Sequence, residues 1–99
     1  MMNDSKMRSH IQAHAEAVER GDMDAIIADF SEDLRPQVPQ LAQALPQPVK
    51  TAEVRIVDVD DEESIATIRY SGDSGDVTIR SHWREIDARP VIIHVEPID

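Results

Sequence analysis

The side chains of this 99-residue chain best suited to proton-transfer or metal chemistry near neutral pH are its four histidines, His10, His14, His82 and His94. His10 and His14 stand one helical turn apart, a spacing that can present two imidazoles to one metal ion, with His82 or His94 supplying a third ligand. At about 100° per residue, however, His14 falls within about 40° of Val18 on an apolar stripe, and His10 lies at the shoulder of that stripe. One packed and one rim histidine account for the pair, so no metal and no cofactor is expected.

A second constellation joins residues far apart in the chain. His14, Tyr70, Ser81 and Trp83 all fall on faces expected to turn inward, where Tyr70 and Trp83 supply large surfaces, each with a polar tip, for a ligand pocket. The simpler alternative is that these residues fill the core. If the pocket is real, His14 can act as a general base, and Tyr70 can donate a hydrogen bond to a developing oxyanion. No residue that would orient the imidazole is identifiable from sequence, and an unoriented histidine is a poor catalyst. Two functions are compatible with these residues. The first is a noncatalytic domain for small-ligand binding or assembly. The alternative is a cavity-based isomerase, cyclase or lyase using His14 and Tyr70.

Composition removes several other classes. There is no cysteine, which excludes disulfides, thiolate metal sites and a cysteine nucleophile, and which suits a reducing cytoplasm. The net charge of −10 argues against nonspecific nucleic-acid binding, which needs a surplus of Lys and Arg. Neither an apolar leader nor a long apolar run is present, so no membrane association is expected and the protein reads as cytoplasmic. The three glycines, Gly21, Gly72 and Gly75, form no phosphate-cradling motif. The acidic run from Asp58 to Glu63 lacks the glycine and terminal ligand of a calcium loop and reads as a charged turn.

The elements that must position these residues divide the chain in two. Asp4 or Ser5 can cap a helix carrying Met7, Ile11, Ala15 and Val18 on one side, with Gly21 ending it. Asp22 then caps a second short helix bearing Met23, Ile26, Ile27 and Phe30. Pro36 and Pro39 interrupt the next stretch, leaving a short piece around Leu41 to Leu45 that Pro46 and Pro48 close. After Val49 the rhythm becomes two-residue and β-branched, giving strands at about 51–59, 64–70, 77–86 and 91–95. The turns at 60–62, 71–76 and 87–90 make an antiparallel meander. One α+β domain over 1–99 is expected, its helical part about 4–45 and its sheet about 49–97.

Alternation sorts the strands into two faces. Val54, Ile56, Ala66, Ile68, Tyr70, Val77, Ile79, Ser81 and Trp83 share one, which should cover the helices. Arg55, Arg69, Arg80, His82 and Arg84 share the other, together with Glu53, Thr67 and Thr78. This basic face reads as an ordinary solvated surface, a homodimer surface or an anion site. The fourth strand has apolar residues in both phases, as a covered outer face would require, and so favours a homodimer.

The segment from Ala15 to Ile26, AEAVERGDMDAI, resembles the first helix, Gly-Asp turn and second helix of the nuclear transport factor 2-like superfamily. The segment from Thr78 to Ile92, TIRSHWREIDARPVI, resembles its long strand, tight turn and return strand. The resemblance implies a shortened cone-shaped, cystatin-like α+β fold shared with polyketide cyclases and ketosteroid isomerases, in which helices pack on one face of a curved four-stranded antiparallel sheet. Enzymes of that superfamily use an Asp or His base, or an Asp-Arg-Asp set, and neither set maps residue by residue onto this chain. The superfamily usually has Gly where Ala88 stands. Resemblance therefore implies architecture rather than activity.

Overall fold

The computed structural model describes residues 4–46, 48–60 and 63–98. Helix α1 spans Asp4–Arg20 and buries Met7, Ile11, Ala15 and Val18, the stripe that the spacing predicts, along with Ala17 and His14. Among the described residues the helix runs from Asp4, so Asp4 and Ser5, the two expected cap residues, are themselves helical. Gly21 comes next in the left-handed region, φ 70°, which a residue without Cβ enters at no steric cost. Helix α2, Met23–Ala28, is capped as its sequence suggests: Asp22 accepts a hydrogen bond from the Ala25 backbone N–H.

Pro36 and Pro39 start helical pieces rather than ending them. Each occupies the first turn of its element, Pro36 in a 3-10 turn at Arg35–Gln37 and Pro39 in helix α3, Val38–Gln43, where a missing N–H leaves no intrahelical bond unmade. The expected piece around Leu41 to Leu45 therefore sits a few residues earlier.

Among the described residues, four strands form one open antiparallel sheet in chain order: β1 Thr51–Asp58, β2 Ser64–Gly72, β3 Gly75–Ile86 and β4 Arg89–Ile98. The expected turn at Asp60-Asp61-Glu62 falls partly outside the described residues. In the core-side rows Ile68 pairs with Ile79, Ala66 with Ser81, and Ser64 with Trp83; in the outer rows Arg69 pairs with Thr78, Thr67 with Arg80, and Ile65 with His82. Aliphatic and basic side chains thus part to opposite sides of β2 and β3, as the two-residue rhythm requires.

Two register breaks correct the pattern in the edge strands. In β1, Val54 lies opposite Ile68 but Ile56 lies opposite Thr67, which makes Arg55 the extra residue of a bulge and gives Val57, opposite Ala66, the next core-side position. The expected unbroken alternation from Val54 through this strand is interrupted, because the bulge shifts the phase by one. In β4, Trp83 pairs with Ile92 while His82 pairs with His94, so Ile93 is the extra residue. The bulge puts Val95, opposite Ser81, on the core side with Ile92, whereas Val91, opposite Arg84, stays in an outer row.

The helical half is tied to the sheet at both edges. Glu19 on α1 accepts from the Ala52 backbone N–H of β1 at 2.8 Å. On the opposite edge, the segment after α2 runs beside β4: Phe30 forms a parallel bridge with Ile92, Ile92 donates its N–H to the Asp29 carbonyl at 2.7 Å, and Ser31 donates to the Ile92 carbonyl at 2.9 Å. These bonds fix the end of α2 against β4 and place Asp29 under α1.

Candidate functional site

Asp29 is the residue on which the site is built. It caps the C-terminus of α2, is buried, and receives both histidines of α1: His14 Nδ1 lies 2.9 Å from Oδ2 and His10 Nε2 lies 2.8 Å from Oδ1. Arg89, at the start of β4, approaches Oδ1 at 3.4 Å. Burial alone would raise the Asp29 pKa, but the hydrogen bonds and charges of His14 and His10 outweigh it and hold the carboxyl below its ordinary value. An ionised carboxylate can only accept, so the neutral His14 ring carries its proton on Nδ1 in this bond and turns its bare Nε2 to the far side.

The aromatic side chains complete this orientation. The His14 ring meets Trp83 edge-on with centroids 5.3 Å apart and Phe30 at 6.1 Å, while His10 meets Trp83 at 5.8 Å. Contacts on several sides leave the imidazole little rotational freedom. The rings of His10 and His14 converge on the Asp29 carboxylate, and His82 and His94 lie on the opposite side of the sheet from Trp83, away from them.

Beside this cluster lies a cavity of about 340 Å³ between the helices and the sheet. His14 and Val18 of α1, Ile26 of α2, Leu41 of α3, and Tyr70, Ile79, Ile92 and Val95 of the sheet contribute to its wall. The wall is mainly apolar with a few polar groups, among them His14, Tyr70, Gln40 and Glu96, and such a lining suits a small, largely apolar molecule. Burial pushes the Tyr70 phenol well above its ordinary pKa, which keeps it neutral and able to donate a hydrogen bond.

The four residues expected to form a pocket separate into two pairs. His14 and Tyr70 line the cavity, whereas Ser81 and Trp83 are not in its lining. Trp83 is fully buried and donates Nε1–H to Ser81 Oγ at 2.9 Å, and Ser81 donates to the Ala66 carbonyl at 3.3 Å. This chain of bonds satisfies the polar atoms of a tryptophan packed beneath the histidines. Sequence reasoning missed Asp29, which was hidden at the end of an apolar helix. Its usable signal was the His10–His14 spacing, which implies a shared partner on the facing element.

On the outer face, the basic residues are mostly paired within the chain. Arg55 bonds Glu53 at 2.7 Å, Arg69 bonds Asp76, Arg80 reaches Glu96 at 3.4 Å, and His82 Nδ1 reaches Glu63 at 3.3 Å; Arg84 is exposed opposite Val91. Exposed pairs of this kind are weak, but they offset the local positive charge that an anion site would need.

No protein-family model and no curated protein matches the chain. Solved structures do match. A DUF4783 family protein from Bacteroides ovatus ATCC 8483 superposes with a TM-score of 0.72 at 12% identity, over 86% of this chain and 92% of that one. An NTF-2 like protein of unknown function from Burkholderia xenovorans LB400 gives a TM-score of 0.72 at 19% identity, over 99% of this chain and 85% of that one. A SEC-C motif containing protein from Rhodopseudomonas palustris gives 0.66 at 15% identity, over 91% and 77% of the two chains. At these identities the likeness shows the fold alone. It is the α+β architecture, helices with an open antiparallel sheet, that the NTF-2 like structure shares.

Proposed function

We propose that this domain binds a small, mainly apolar molecule between its helices and its sheet, with His14 and Tyr70 making the polar contacts. The observation that carries this reading is the cavity of about 340 Å³ whose wall holds an imidazole oriented by a buried carboxylate. A mainly apolar wall with a neutral phenol, one fixed imidazole and, at Gln40 and Glu96, two further polar residues selects for shape and for a few hydrogen bonds. The test uses 2-naphthol, a flat apolar probe with a single hydroxyl. Calorimetric titration should show one saturable site on the wild-type chain and none on Leu41→Trp, which fills the cavity, provided the variant retains its helical and sheet circular dichroism. Equal binding by both proteins would refute the reading.

The Asp29 contact favours a second reading, proton-transfer catalysis, because it supplies the orienting partner that a histidine base needs. In this reading His14 Nε2 removes a proton beside a carbonyl, and Tyr70 donates to the enolate oxygen. In D2O the domain should accelerate deuterium exchange at the α-carbon of 2-tetralone. His14→Gln and Asp29→Asn should each reduce that rate at least tenfold, and exchange that persists in both variants rejects His14 as the base.

Self-association belongs to the same proposal. Ile65, Val91 and Ile98 are half-buried on or beside the outer rows of the sheet, between charges of both signs, and they suit a second copy of the chain in a cytoplasmic homodimer. Sedimentation velocity should give a dimer mass at micromolar concentration. A monomer mass independent of concentration ends this part of the proposal.

A further inference from the structure

The outer face gathers His82, His94 and Glu96, the last of which also borders the cavity. Cross-strand pairing sets His82 opposite His94, their rings lie 5.2 Å apart, and Glu96 stands two residues after His94 on the same strand. One ligand atom from each of the three residues lies within 4.8 Å of the other two. The β4 bulge at Ile93 brings this about, since it shifts the phase so that His94 faces His82.

His82 supplies a further observation. Its Nδ1 is held by Glu63 at 3.3 Å, while its Nε2 is buried and has no hydrogen-bond partner. Glu96 Oε1 lies 3.5 Å from that nitrogen but not in hydrogen-bonding geometry. A buried imidazole nitrogen without a partner is costly, and a cation at this position would satisfy it.

We propose that His82 Nε2, His94 and Glu96 form a binding site for a divalent transition-metal cation of the zinc type on the outer face of the sheet. Two imidazoles and a carboxylate are donors that zinc accepts, whereas magnesium and calcium prefer oxygen alone. Glu63 takes the role of the carboxylate behind a metal-bound histidine: by accepting Nδ1–H it fixes the tautomer that exposes Nε2 to the metal. Bonds of about 2.0–2.1 Å place tetrahedral donors roughly 3.3 Å apart. Rotation of His94, which is exposed, and of Glu96 closes the present spacing to that distance without moving the half-buried His82.

The test is titration of ZnCl2 into chelator-treated, tag-free protein, monitored by calorimetry and by histidine-ring NMR. One zinc per chain should bind with a dissociation constant in the micromolar range or below, shifting the ring signals of His82 and His94 but not those of His10 and His14. His94→Ala and Glu96→Gln, at surface-accessible positions, should each weaken binding at least tenfold with the fold retained. Glu63→Gln should weaken it by about tenfold or more through the second carboxylate. Zinc bound equally well by His94→Ala, ring shifts at His10 and His14 instead, or no saturation at millimolar zinc would each overturn the assignment.

Discussion

Asp29 is the point at which α1, α2 and β4 depend on one another, because one buried carboxylate serves two histidines and lies near an arginine. Replacing it with asparagine keeps the volume but removes the charge, leaving two buried or half-buried rings with a weaker partner. Asp29→Asn should cost about 2–4 kcal/mol in urea unfolding at pH 7. The pH dependence comes from the lowered pKa: the stabilisation is fully present above the ordinary carboxyl value of 3.8 and is lost as pH falls through the lower folded value. The stability gap between wild type and variant should therefore narrow below pH 3.8, and a gap that widens there would contradict the assignment. At this scale the sequence was legible only in part. Spacing placed His14 on the buried stripe and His10 at its rim, but the carboxylate that joins them lies 15 and 19 residues away, beyond the reach of a periodicity argument.

Among the elements, the β3–β4 hairpin carries the clearest strain. Asp87 and Ala88 both have positive φ, 54° and 64°, as a two-residue turn of the type matched to strand twist requires. Asp tolerates this region better than Ala, whose Cβ crowds the following carbonyl. Ala88→Gly should raise stability by about 0.5–1 kcal/mol after the added freedom of the unfolded chain is subtracted, a Tm increase of about 2–6 °C by differential scanning calorimetry. A lower Tm would show that the turn is not strained. Alternation in β2 and β3 could be read from sequence because both strands are internal and unbroken, each flanked by two neighbours. The bulges at Arg55 and Ile93 lie in the two outermost strands of the sheet, and no residue type marks them.

At the scale of the whole molecule, the chain buries its apolar face against the helices without filling the space between them completely. Met7, Ile11, Ile68, Trp83 and Ile92 form the close-packed part of the core, and the cavity opens beside it under α2 and α3. Its existence was not legible in the sequence, since apolar residues that line a void have the same pattern as those that fill it. Binding within this space is followed by methyl NMR during a titration with 2-naphthol. Saturable shifts are expected at the Ile26, Ile79, Ile92 and Val95 methyls, with those of Ile65 and Ile98 on the outer face unmoved. Shifts confined to Ile65 and Ile98, or no saturable shift at the lining methyls, would contradict binding in the cavity.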